Sequence, residues 1–171
     1  DPPPNSADGL KFTCLAVGSR MPHDYMAKLT TFLRNFCNDA RGLGMNVLCD
    51  EPIGENRREN IRGQMERLKA EGNRFVLVII VDDWYNDVKY QADGIGLVTS
   101  CVRWKCVERP PQGYYSNVLL KVNAKCGGRN HSLISRVPGA PTTPIPTGDK
   151  FQSPPASLSW MFDEPCMLMG V

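Results

Sequence analysis

The chain has 171 residues, 42% hydrophobic and 22% charged, with a formal net charge of +2. That is ordinary for a globular protein and enough for one domain with a sizeable core, and it excludes a polycation. No apolar run reaches transmembrane length and no signal peptide is present, so no membrane partner is expected.

Charge is unevenly spread. Between Tyr85 and Arg136 stand eight basic residues and three acidic ones. A basic half suggests an anionic partner, against the plainer reading of a solvated face. The seven cysteines are odd in number and none has C-x-x-C spacing, while His23 and His131 lie far apart. These features predict a reduced, intracellular protein, cytoplasmic with the nucleus left open, with neither a metal site nor a cofactor.

In chain order, residues 1–9 (DPPPNSADG) read as a linker. Leu10 to Val17 is a short apolar run ended by Gly18, which predicts a buried strand. A helix follows over Pro22 to Arg41, with Tyr25, Leu29, Phe32, Leu33 and Phe36 on its buried face. Met45 to Cys49 reads as a second strand. Asn56 with Glu59 three later predicts a capping box for a helix that buries Ile61, Met65 and Leu68. Phe75 to Val81 is β-branched and does not alternate, as a strand covered on both faces requires. Next come a helix from Tyr85, a strand over Ile95 to Val102, a loop over Glu108 to Gly113 and a last helix carrying Lys121.

That final pair of helices bears the candidate site. Tyr85 and Lys89 are four apart on the first, and Asn117, Lys121 and Lys125 are four apart on the second. Residues at i and i+4 share a face, so each helix offers a polar stripe. Two lysines on one stripe repel unless an anion lies between them. Tyr115, Val118, Leu119, Val122 and Cys126 form the opposite, apolar face. Alternating strands and helices predict an α/β fold, a parallel sheet of about four strands with helices on both faces. Ligands of such sheets bind beyond the carboxyl ends of the strands. Tyr85 follows one such end, and Ser100 and Cys101 lie near another. After Gly127 and Gly128 the texture changes to a Pro-rich C-terminal tail, residues 134–165, and then a short apolar run, residues 166–171.

WYNDVK, LVTSCV and SNVLLKVNAKCGGRNHSL, in this order and spacing, resemble the MID domain of eukaryotic Argonaute proteins. The resemblance covers residues 10–133 and implies a Rossmann-like fold that grips a 5′-phosphorylated small guide RNA. By that resemblance Tyr85 would stack on the first base, and Lys89, Lys121 and Lys125 would neutralise the phosphate beside Cys101. Ser100 stands where the family has Gln, and Asp82 and Asp83 occupy the loop that in the family senses the first base. Residues 166–171 resemble the first strand of the PIWI nuclease domain, which implies a PIWI domain of the same parent chain as a partner. The first catalytic Asp would follow Val171, so this chain is expected not to cut RNA. Two other readings stay open. One is a Rossmann-like small-nucleotide binder or enzyme, although no Gly-x-Gly-x-x-Gly follows the first strand. The other is a protein-interaction domain using the Pro-rich tail.

Overall fold

A computed structural model describes residues 9–128 and 130. The expected Pro-rich segment 134–165 and strand 166–171 lie outside them. Five parallel strands form one sheet: β1 (Leu10–Val17), β2 (Val47–Cys49), β3 (Ile53–Glu55), β4 (Phe75–Ile80) and β5 (Val98–Arg103). The order is β2-β1-β4-β5, with β3 pairing the far end of β1 in line with β2. All six side chains of β4 are buried, because β4 has a strand on either side and helices on both faces. An uninterrupted apolar run is what such a position demands.

The helices are α1 (Tyr25–Gly42), α2 (Ile61–Ala70), α3 (Tyr85–Gly94), α4 (Trp104–Glu108) and α5 (Tyr114–Lys125). One face of the sheet packs on α1, α4 and α5 through Phe12, Phe36, Phe75, Trp104 and Leu119. The other packs on α2 and α3 through Val78, Met65, Leu68 and Val88. Phe12 lies at the centre of the first layer, with ring centroids 5.9 Å from Phe36 and 5.7 Å from Phe75. Tyr115 docks α5 on α1 by packing 5.0 Å from Phe32. The architecture is the Rossmann-like α/β class.

Several details depart from the sequence reading. The capping box does not form: α2 begins at Ile61 after a 3₁₀ turn over Arg58–Asn60, and neither start has a side-chain cap bond. The Arg57 N–H instead donates to the buried Glu55 carboxylate at 2.9 Å. The strand expected over Ile95 to Val102 begins only at Val98. Gly96, at φ +64°, donates its N–H to Asp93 and turns the chain out of α3 first. The expected loop at Glu108 is the end of α4, so the loop spans residues 109–113. At the carboxyl edge β1 and β4 come very close: a Cβ on Gly18 would sit 2.6 Å from Val81 Cβ. Glycine is required there by that approach.

Candidate functional site

β5 has β4 on one side and no strand on the other among the described residues. Side chains alternate along it. Thr99 and Cys101 pair with Val76 and Val78, which belong to the α2–α3 face, whereas Ser100 pairs with Leu77 on the α1–α5 face. The two flanking helices meet at this free edge. Lys89, in the middle of α3, donates to Thr99 Oγ1 at 3.2 Å and reaches Asp93 Oδ1 at 3.4 Å. Lys125, in the last turn of α5, donates to the Thr99 carbonyl at 2.7 Å. Two ammonium groups from helices on opposite faces thus converge on one residue of an edge strand. They line an open cavity of about 400 Å³ with Val98 and Thr99.

α3 and α5 both run antiparallel to the strands, since each leaves the carboxyl edge and returns to the amino edge. One helical turn rises about 5.4 Å, and two strand residues about 6.6 Å. Tyr85 and Lys121, one turn before Lys89 and Lys125, therefore stand at the level of Cys101. Tyr85 is 47% exposed and shares a cavity of about 520 Å³ with Cys101, Val102 and Trp104, rimmed by Asp83, Arg103 and Lys105. Lys121 is exposed and has no hydrogen-bond or ion-pair partner among the described residues. Burial pushes the Cys101 thiol up, while the nearby Lys89 and Lys125 charges act in the opposite direction. The thiol is therefore neutral, a polar wall rather than a nucleophile.

Of the expected site, the structure places Lys89 and Lys125 on the cavity beside the start of β5 and Tyr85 and Cys101 on a separate cavity nearer its carboxyl end. It separates Ser100, whose side chain is 6% exposed and faces the opposite side of the sheet from Lys89. Thr99, which the sequence reading did not single out, is the residue on which both lysines converge. The two acids before Tyr85 differ. Asp82 Oδ2 accepts hydrogen bonds from the Ser19 N–H and hydroxyl, both at 2.6 Å. Those bonds hold its carboxyl below the usual range and turn it back onto the end of β1. Asp83 is exposed at the cavity rim. Glu108 is tied to Lys28 at 2.8 Å, which clamps α4 to α1 below the same cavity. Among the described residues no group of three or more His, Cys, Asp and Glu could hold a metal ion. No helix among them is long and apolar enough to cross a membrane.

No protein-family model matches the chain. Among curated proteins it is 29% identical over 183 residues to protein argonaute MEL1 of Oryza sativa subsp. japonica, covering 90% of this chain and 17% of that protein. The chain spans less than a fifth of the length of the curated relatives it matches. Among solved structures it superposes on the N. crassa QDE-2 AGO MID domain with a TM-score of 0.50 and 27% identity, covering 67% of this chain and 96% of that one. Against the QDE-2 MID-PIWI domains the TM-score is 0.58 at 26% identity, covering 75% and 37%. The Arabidopsis thaliana AGO5 MID domain shares the fold, with a TM-score of 0.53, 24% identity and coverages of 72% and 94%.

Proposed function

Since this chain is a MID domain of the Argonaute type, we propose that it serves RNA silencing by holding the 5′-phosphorylated terminal nucleotide of a small guide RNA. The observation that carries the proposal is the convergence of Lys89 and Lys125 on Thr99 at the free edge of β5. A terminal phosphate carries close to two negative charges at neutral pH. Each ammonium has three donors, so both lysines can turn a donor to such a dianion while keeping a bond to Thr99. The Thr99 carbonyl faces away from β4, and by strand alternation the Cys101 N–H two residues on faces the same way. It supplies a backbone donor level with Lys121. The exposed ring of Tyr85, one helical turn before Lys89 and on the neighbouring cavity, offers a platform for an unpaired terminal base.

Within this reading the chain binds and does not cut, and the PIWI domain of the parent chain completes the pocket. The test is a titration with a nucleoside 5′-monophosphate and with the same nucleoside. The monophosphate should bind more tightly, and most of its advantage should be lost in a Lys89→Ala, Lys125→Ala double variant. Equal binding of nucleoside and monophosphate by the native chain would rule the site out.

A further inference from the structure

The cavity beside the start of β5 holds a carboxylate of its own. Asp93 stands four residues after Lys89 on α3, and its Oδ1 lies 3.4 Å from the Lys89 ammonium. Among the described residues that line this cavity it is the one acid. Local helix preferences weigh against an acid at that position. Asp93 is in the last turn of α3, where the helix dipole disfavours negative charge. A lysine that precedes its acid by four residues is also the weaker order for such a pair. The cavity supplies the reason that the helix does not. Lys89 is only 27% exposed and shares Thr99 with Lys125, so two positive charges converge on one residue. The Asp93 carboxylate offsets one of them. It is itself 68% exposed, so it can turn to water without leaving a buried charge unpaired.

We propose that Asp93 is the internal counter-anion of the phosphate site, a carboxylate that competes with the incoming phosphate for the Lys89 ammonium. The inference rests on the phosphate reading above. Lys89 keeps Thr99 Oγ1 as a neutral acceptor at 3.2 Å, so it stays aimed into the cavity when the carboxylate turns away. The phosphate then meets an ammonium already in place, and repulsion by the dianion drives the carboxylate toward solvent. That exchange subtracts from the affinity for a phosphorylated end. A neutral nucleoside takes no donor from Lys89 and does not undergo it. Asp93 therefore weakens the binding of phosphorylated ligands and leaves that of unphosphorylated ones alone.

A nucleoside 5′-monophosphate is titrated calorimetrically into the native chain, Asp93→Asn and Asp87→Asn. Asp87 is on the same helix, pairs with Arg58 and lines neither of the two cavities at β5. Its substitution changes the net charge equally without touching the site. Asp93→Asn should bind the monophosphate about two- to fivefold more tightly, the range that an exposed ion pair allows. It should bind the unphosphorylated nucleoside as the native chain does. Asp87→Asn should keep the native affinity for the monophosphate, and adding Lys89→Ala to Asp93→Asn should remove most of the gain. Unchanged or weaker monophosphate binding by Asp93→Asn would overturn the proposal. So would an equal gain in Asp87→Asn or in the Lys89→Ala background, because the effect would then be one of overall charge. Failure of the phosphate reading itself is distinguishable: the native chain would bind nucleoside and monophosphate alike, and both inferences would fall.

Discussion

Lys89 and Lys125 each present a charge-assisted donor to the proposed phosphate. Hydrogen bonds to charged groups contribute about 1.5–3 kcal/mol, so alanine at either position should weaken monophosphate binding roughly ten- to hundredfold. The double variant should lose less than the sum, because the two side chains share Thr99. Calorimetric titration of the two single variants and the double variant checks both statements. Asp82 gives a pH prediction. Ser19 holds its carboxyl below the usual range in the folded state. Its contribution to stability is therefore present above the unfolded carboxyl value of about 4 and is lost as the pH falls through the lower folded value. Thermal melts across that acid range should show a decline that is shallower in Asp82→Asn. The same variant should loosen the turn before Tyr85. At this scale the sequence showed Lys89, Lys121 and Lys125 through their i+4 spacing, and Tyr85 through its motif. It did not show Thr99, nor the inward turn of Ser100. Both follow from the phase of β5 and its place at the edge, which are set by strand pairing and not by local pattern.

The elements were legible where their periodicity was long. β1, β4 and α5 carry runs of apolar residues whose period decides between strand and helix, and each lies where the pattern put it. β3 has three residues and α4 has five, too few for a period to register. The pattern Asn56–Glu59 misled because Glu55, one residue earlier, takes the Arg57 N–H and redirects the turn. The phase of α5 yields a paired test. Val122 is 1% exposed against the first layer, while Lys121 beside it points to solvent. Val122→Asp buries an uncompensated charge, a cost of several kcal/mol, and should unfold the domain. Lys121→Ala should shift stability by no more than about 0.5 kcal/mol while weakening phosphate binding. Denaturant melts of the two variants measure this, and the reverse ranking would mean that the helix is rotated from the phase described.

For the whole molecule, strand–helix alternation was enough to give a parallel α/β sheet, because a right-handed crossover leaves few other arrangements. Partners were less legible, since the chain spans under a fifth of the length of the curated relatives it matches. In the proposed reading a longer parent chain that includes a PIWI domain should bind a 5′-phosphorylated guide more tightly, because added walls exclude water and strengthen each charge pair. The dependence on salt should stay shallow for this chain alone, as only a few phosphates are gripped and the slope follows their number. A steep slope would instead assign binding to Arg103, Lys105 and Arg109 as a general basic face. The most direct measurement compares one short RNA carrying either a 5′-phosphate or a 5′-hydroxyl, titrated into this chain at fixed salt. Two converging ammonium groups predict at least about a tenfold preference for the phosphorylated end, and equal affinity for the two ends would contradict the account.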